Sequence, residues 1–237
     1  MNEINDIQYI NTQQETLIKW IKSMPISQKK CIKNILSVNS GNGFLDNKII
    51  KLLPNIKNYN IVQSDYSNYQ NCIDKLFGNF KFKISYSDLF DYDFDTLITY
   101  DLIIFFDGFC DINDCTNFIQ YCTKFVKDDG KIWIFTHDDN GCINKTMKHF
   151  NYDTYGDKTL KNAIDKISCK IFNTHIPTYL DINELTIENI SRIAREKCKE
   201  EDFKLIKDYI KNNYGYYISV PISVIILSKL KSKNNYL

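Results

Sequence analysis

The chain has 237 residues, 43% of them hydrophobic, and its 30 basic and 29 acidic side chains give a formal net charge of +1. This length suits one α/β domain with an insertion, or at most two small domains. The near-neutral, evenly mixed charge supplies no strong field for nucleic acid or an anionic membrane, which weakens both as partners and leaves a small molecule as the expected substrate. Oligomeric state is not indicated.

The cysteines and the N-terminus point to a reducing compartment. Eight cysteines are spread along the chain, and the first six residues are polar and acidic, without the apolar stretch of a secretory signal. The longest apolar run, Ile222 to Leu230, has the length of a strand and not of a membrane span. We expect a cytoplasmic protein with reduced thiols. Cys110, Cys115 and Cys122 form no Cys-x-x-Cys pair, so we expect buried thiols and no metal site.

The first predicted elements are a helical cap and a βαβ unit. Residues 12–24 present an apolar helical face and end at Pro25. A buried strand (Ile35 to Val38), a tight turn on Gly41 and Gly43, and an apolar-striped helix follow. The second strand, Asn60 to Ser64, ends at an acidic residue. In such units glycines let the backbone approach a nucleotide, and a carboxylate one strand later takes the ribose hydroxyls.

Three further strands complete the first half of the chain. Phe80 to Tyr86 alternates as a short third strand, and Tyr100 to Phe106 is a continuous apolar run typical of a strand covered on both faces. A helix over about 112–126 and a turn over 127–130 are predicted before the buried strand Lys131 to Thr136.

The remaining chain predicts a helical insertion and a final strand. Residues 137–213 are polar and mostly helical in pattern, with one strand candidate at Lys170 to Thr174 and a long charged helix over about 190–209. Residues 216–227 form the last strand, in which Pro221 should lie at a bulge or an edge because it lacks an N–H donor.

These elements predict an α/β fold: a Rossmann-like, seven-stranded, mostly parallel sheet with helices on both faces and a helical lid. We expect an N-terminal helical cap (1–30), a nucleotide-binding core (31–139), a helical lid or substrate insertion (140–215) and a C-terminal strand that completes the sheet (216–237).

Polar residues follow the predicted strands in order. Asp65 comes about twenty residues after Gly43, Ser87 and Asp88 end the third strand, and Asp107 ends the fourth. Ligands of open α/β sheets bind outside the carboxyl ends of the strands, so these residues open onto one crevice. Each of them alone could equally cap a strand or start a turn.

The type of nucleotide follows from Asp46. A dinucleotide fingerprint has a third glycine at this position, and a carboxylate at a helix entrance opposes phosphate. S-adenosylmethionine carries no phosphate and has a cationic sulfonium, so it suits an acidic, phosphate-poor site better. The interpretation therefore moves from a dehydrogenase to a methyltransferase.

The chain resembles the class I S-adenosylmethionine-dependent methyltransferases and is most similar to their histamine N-methyltransferase-like branch. The resemblance rests on four segments: Ile35 to Gly43, where Ser37 replaces the usual acidic residue; Asp65 to Gln70; Asp101 to Asp107; and Val220 to Leu227. It implies a methyl-donor site at the ends of the first, second and fourth strands. The residues that we expect to contact S-adenosyl-L-methionine are Ser37, Asn39, Gly41, Gly43, Asp65, Tyr66, Gln70, Asp88, Leu89 and Phe106.

The sequence departs from that branch at three places. Asn39 stands where the family generally has glycine, although asparagine tolerates a left-handed backbone better than most residues. The family's amine-anchoring glutamate and asparagine would fall near Thr12 and Val220, which do not match. Histamine itself is therefore not the expected substrate.

The candidate catalytic residues are Asp107 and His137. Asp107 could hold an ammonium substrate or accept its proton, and His137 follows the fifth strand as a second candidate base. Enzymes that methylate the amino groups of nucleic acid bases resemble one another in an Asn/Asp-Pro-Pro-Tyr/Phe turn after the fourth strand. This chain has the different turn Phe106-Asp-Gly-Phe109 there. Cys110 is a candidate nucleophile near the same turn, but it has no basic residue nearby in the sequence to activate it, so we expect it to be a packing residue.

The sequence thus predicts small-molecule N-methylation by direct displacement, in which the protein mainly aligns donor and acceptor. Two alternatives remain open: methylation of a protein or an RNA cap, and a binding protein that keeps the fold without turnover.

Overall fold

The computed structural model describes residues 14–76, 82–87, 92, 98–106, 115–154, 157–167, 169–187, 190–191 and 198–229. The strands are β1 Asn34–Val38, β2 Asn58–Gln63, β3 Phe82–Tyr86, β4 Tyr100–Phe106, β5 Val126–His137, β6 Cys169–Ile176, β7 Tyr179–Asp181, β8 Tyr217–Ser219 and β9 Ile222–Lys229. The helices are α1 (14–23), α2 Ile26–Cys31, α3 Phe44–Leu52, α4 Tyr66–Lys75, α5 Cys115–Thr123, α6 Cys142–His149, α7 Asp157–Ile164 and α8 Glu200–Tyr214.

Seven strands form one sheet in the order β3-β2-β1-β4-β5-β9-β6, and β7 pairs with β8 in a separate ribbon. The pairs from β3 to β5 are parallel, whereas β9 is antiparallel to both β5 and β6. The order reverses at β1 and β4, which open a crevice at their carboxyl ends. This architecture confirms the predicted seven-stranded, Rossmann-like α/β fold.

Helices cover both faces of the sheet, as the continuous apolar runs of β1 and β4 predict. On one face α1, α3 and α4 pack over residues that include Ile35, Ile104 and Trp133. On the other face α5 and α7 cover Leu36, Phe105 and neighbouring side chains. Alternate residues of a strand point to opposite faces, so a strand buried on both sides needs no polar positions.

A third buried cluster belongs to the segments that leave the carboxyl-terminal edge of the sheet. It unites α6, the β7–β8 ribbon and α8 around Met147, Leu180, Ile206 and Ile218. The chain enters this unit from the ends of β5 and β6 and returns from it into β9. The strand predicted at Lys170 to Thr174 within the same segment is part of β6, which forms the edge of the main sheet.

Two local predictions can be compared with the structure. The predicted turn over 127–130 falls at an irregularity within β5: Val126 pairs with Tyr100 and Lys131 with Leu102, so residues 127–130 lie opposite Asp101 alone. Gly130 permits this path, because a Cβ there would lie 2.9 Å from the Tyr100 carbonyl oxygen. The predicted last strand is interrupted at Val220 and Pro221, where the chain leaves the ribbon and enters the main sheet. A proline cannot donate the ladder hydrogen bond there, which agrees with its expected place outside a regular ladder.

Within the described residues, no helix combines the length and apolarity needed to cross a membrane.

Candidate functional site

The turn after β1 has a left-handed backbone at three positions. Asn39, Gly41 and Gly43 have φ values of 50°, 76° and 77°. A Cβ at Gly41 would meet no atom within 4 Å, so this part of the turn faces open space. A Cβ at Gly43 would lie 3.2 Å from Cys72 Sγ, so the second glycine lets the turn pack on α4. The predicted glycine turn is therefore present and uncovered, and Asn39 adopts the conformation expected of it.

Asn39 also joins the turn to the end of β2. Its side-chain oxygen accepts hydrogen bonds from the Ser64 backbone N–H (3.0 Å) and hydroxyl (3.1 Å). Its own N–H donates to the Val62 carbonyl at 2.9 Å. These bonds hold the turn beside Asp65, the residue that follows Ser64. The asparagine thus supplies a connection that a glycine at this position could not make.

A buried carboxyl group supports the turn from below. Asp46 has no exposed surface and accepts hydrogen bonds from the Ser40 hydroxyl and, at 2.7 Å, from the Tyr59 hydroxyl. Burial raises the pKa of Asp46 above its usual value, and the hydrogen bonds from Ser40 and Tyr59 oppose that shift. Asp46 lies in the first turn of α3, as expected, but its side chain turns inward to these hydroxyls. It fixes Ser40 and does not face a ligand directly.

Two neighbours complete the support of the turn. The Gln63 amide donates to the Ser40 hydroxyl (3.1 Å) and to the Gly41 carbonyl (2.9 Å). The Cys72 thiol donates to the same carbonyl at 3.1 Å. Burial, followed by the charge of Asp46, raises the pKa of the Cys72 thiol to about 12, so it serves as a donor and not as a nucleophile. The open turn is therefore held by buried polar partners.

Asp65 lies on the surface at the start of α4. One carboxylate oxygen caps the helix by accepting from the Asn68 N–H at 2.7 Å. The other oxygen has no hydrogen bond to a described residue. Helix capping and ligand binding are compatible, because each uses a different oxygen of the carboxylate.

An aromatic surface adjoins Asp65. Tyr66 and Tyr86 are 59% and 55% exposed, their rings lie 5.5 Å apart, and Tyr69 packs against both. The Gln70 amide donates to the Tyr66 hydroxyl at 3.0 Å and so orients that ring. Tyr69 and Tyr86 were not among the predicted site residues, because the aromatic-rich composition gave them no distinguishing signal.

The other predicted residues differ in accessibility. Phe106, at the end of β4, is 9% exposed and stacks on Phe135 at 5.3 Å. Ser37 is fully buried in β1, and His137 is 8% exposed at the end of β5. Asp88, Leu89 and Asp107 lie outside the described residues. The structure therefore brings the turn, Asp65 and Phe106 to one edge of the sheet, as predicted.

The sequence gave no signal for a polar pair at the same edge. Asp138 follows β5, and its carboxylate lies 2.6 Å from Nδ1 of His175 in β6. The Ser223 hydroxyl of β9 lies 3.1 Å from that nitrogen. The three residues are far apart in sequence and meet only because β9 inserts between β5 and β6. Within the described part of the chain, no group of three or more His, Cys, Asp or Glu side chains is arranged to hold a metal ion.

Comparisons with known proteins agree on the fold. The sequence matches no protein-family model and no curated protein. The structure is similar to a Bacillus halodurans protein suggested to be a methyltransferase: TM-score 0.62, 10% identity, covering 90% of this chain and 96% of that one. It is also similar to the N-methyltransferase NodS from Bradyrhizobium japonicum (TM-score 0.58, 10% identity, 95% and 99% covered). The plantazolicin methyltransferase BpumL, solved with S-adenosylhomocysteine, matches with a TM-score of 0.56 and 13% identity over 96% and 86% of the two chains.

The strand order, the reversed β9 and these similarities define the fold of the class I methyltransferases.

Proposed function

We propose that this protein transfers a methyl group from S-adenosylmethionine to a small-molecule acceptor, an amine. The single observation that carries the proposal is the shared edge formed by the open Gly41 turn, Asp65 and Phe106 on a methyltransferase fold. The solved relatives include two methyltransferases with S-adenosylhomocysteine in their complexes, which supports the same donor here. The resemblance to the histamine N-methyltransferase-like branch supports an amine acceptor.

The described residues suit an adenosyl group. The free oxygen of Asp65 would accept from the ribose hydroxyls, the exposed Tyr66 and Tyr86 rings would lie against the adenine, and the Gly41 backbone would pass beneath the sugar. No step of this binding requires a metal ion.

The proposed reaction is a direct displacement. The acceptor lone pair forms a bond to the methyl carbon while the carbon–sulfur bond breaks, and its electrons return to sulfur to give S-adenosylhomocysteine. The acceptor then loses a proton, for which Asp107 and His137 remain the predicted acceptors. The sulfonium is a good leaving group, so alignment of the two reactants supplies most of the rate, up to about 7–11 kcal/mol.

Isothermal titration with S-adenosylhomocysteine tests the donor site. We expect binding by the wild type and at least a tenfold weaker affinity for Asp65→Ser, because each hydrogen bond between an ionised carboxylate and a ribose hydroxyl contributes about 1.5–3 kcal/mol. Serine keeps an oxygen that caps α4, so this variant separates ligand binding from helix stability. Asp74→Asn, on the exposed side of α4, is the matched control and should bind as the wild type does. Equal affinity of Asp65→Ser and the wild type would refute the proposed site.

The type of acceptor needs a separate measurement. Tritium from methyl-labelled S-adenosylmethionine should enter the low-molecular-weight fraction of a cell extract and not the protein or RNA fraction. Labelling of macromolecules would favour the protein or RNA-cap alternative. Donor binding without any labelling would favour a binding protein without turnover. We also propose that the third cluster, at the ends of β5 and β6, acts as the substrate lid.

A further inference from the structure

The Asp138–His175 pair is a rigid polar site outside the proposed donor-binding turn. The Asp138 side chain is 8% exposed, whereas that of His175 is 44% exposed. The second oxygen of Asp138 accepts from the Asn140 N–H at 2.7 Å. The Asp138 backbone N–H donates to the Pro221 carbonyl, and its carbonyl accepts from Gly141, both at 3.0 Å. The Asp138 carboxylate is therefore held in place by hydrogen bonds, and the His175 imidazole that contacts it is the exposed part of the pair.

The contacts of the imidazole determine which nitrogen is available. A carboxylate can only accept a hydrogen bond, so Nδ1 of His175 must carry the proton that it donates to Asp138. The second nitrogen, Nε2, has no hydrogen bond to a described residue. In the neutral ring Nε2 holds a lone pair and accepts a hydrogen bond. The pair thus presents one hydrogen-bond acceptor, Nε2 of His175, next to the buried negative charge of Asp138.

The pair lies at the same edge of the sheet as the donor site. β6 is antiparallel to β9, which is antiparallel to β5, so β5 and β6 both end at the edge where β1 and β4 end. Three strand spacings separate β4 from β6, a distance of roughly 14 Å. The third cluster is attached to this edge through the ends of β5 and β6. A molecule bound between that cluster and the edge could reach both places.

We propose that His175 anchors the far end of an extended diamine acceptor. One amine, in its neutral form, uses its lone pair to bond the methyl carbon beside Phe106, and the other, an ammonium, donates an N–H to Nε2 of His175, with Asp138 as a positioning residue. A cation is favoured because the pair carries one buried negative charge when the imidazole is neutral. The inference rests on the proposed methyl transfer, and it specifies the class of acceptor.

Defined amines test the anchor directly. The wild type is given labelled S-adenosylmethionine with octylamine, diaminobutane, diaminooctane or aminooctanoic acid, in which the amino groups are terminal. We expect diaminooctane to have the highest kcat/KM, at least tenfold above octylamine, because a hydrogen bond to a charged group is worth about a tenfold to hundredfold change. Diaminobutane is too short to span the two places, and aminooctanoate brings a repelled charge to the anchor.

Variants separate the anchor from the methyl-transfer site. His175→Gln should lower kcat/KM for diaminooctane to the octylamine value and leave octylamine transfer and S-adenosylhomocysteine affinity unchanged. His149→Gln, whose ring stacks on Tyr209 at 4.4 Å, is the matched histidine control and should retain the diamine preference. If octylamine or aminooctanoate is methylated as efficiently as diaminooctane, the anchor is wrong and methyl transfer stands. If no amine is methylated, both the anchor and the amine acceptor are wrong.

Nitrogen NMR of histidine-labelled protein tests the role of Asp138 without turnover. In the neutral wild-type ring, His175 should carry its proton on Nδ1, and diaminooctane should shift the Nε2 resonance. Asp138→Asn should remove the Nδ1 preference, a change that a purely structural role of Asp138 does not require. A neutral His175 protonated on Nε2, or a resonance unaffected by the diamine, would overturn the proposal.

Discussion

The buried Asp46 carboxyl beneath the glycine turn leads to a quantitative prediction. Replacing it with leucine leaves the Ser40 and Tyr59 hydroxyls without their acceptor in a site that has no exposed surface. Each buried donor that loses its partner costs about 1–3 kcal/mol, so we expect Asp46→Leu to lower the free energy of unfolding by about 2–6 kcal/mol. Asp46→Asn keeps one acceptor oxygen and should cost about 1–3 kcal/mol.

The pH dependence of this effect has a definite sign. Burial raises the pKa of Asp46, so the folded protein holds the proton more tightly than the unfolded chain does. The wild type therefore loses stability as the pH rises from the ordinary aspartate value of 3.8 towards the raised value, and the loss is complete above it. Asp46→Asn does not titrate. The stability difference between the wild type and Asp46→Asn should be largest at low pH and shrink as the pH rises.

Urea denaturation followed by circular dichroism, repeated from pH 4 upwards, measures both effects. Asp74→Asn, an exposed carboxylate on α4, is the control and should change stability by no more than about 0.5 kcal/mol. Titration with S-adenosylhomocysteine should also show weaker binding by Asp46→Leu, because Ser40 and the turn lose their support. An Asp46→Leu variant as stable as Asp74→Asn, or a stability difference for Asp46→Asn that grows with pH, would refute the argument.

Two further predictions concern the same turn. In urea denaturation, Asn39→Gly should be about 1–2 kcal/mol more stable than Asn39→Ala, because alanine is strained at the φ of 50°. Both variants lose the hydrogen bonds to Ser64, so that loss cancels in the comparison. Equal stabilities would show that the left-handed backbone carries no strain. Iodoacetamide at pH 8 should modify the exposed Cys31 well before Cys72, whose pKa of about 12 keeps the thiol protonated, as peptide mapping by mass spectrometry would reveal. Faster labelling of Cys72 would contradict its buried role.

The sequence alone determined the main elements of the first half of the chain. The apolar runs of β1 and β4 could only be strands covered on both faces, and Gly41 and Gly43 required a turn between β1 and α3. These signals are local, because they depend on side-chain periodicity and on the conformational freedom of single residues. The resemblance to a known fold then supplied the expectation of a seven-stranded, mostly parallel sheet.

The tertiary structure decided the partners of the polar residues. Asp46 reads as a helix-entrance carboxylate, yet it turns inward because Tyr59, one strand away, supplies a hydroxyl at 2.7 Å. The path of β5 through the predicted turn depends on Gly130 passing close to Tyr100, a contact between strands. Sequence patterns carry no information on such pairs, because each needs the register of two strands to be fixed first.

The Asp138–His175 pair shows most clearly the difference between what the sequence predicts and what the tertiary structure decides. Neither residue stands in a motif, and 37 positions separate them (175 less 138). They meet because β9 runs antiparallel between β5 and β6 and brings the ends of those two strands to one edge. Residues adjacent in the sequence were enough to predict the glycine turn and the nearby Asp65, whereas the Asp138–His175 pair depended on strand order, which only the assembled sheet establishes.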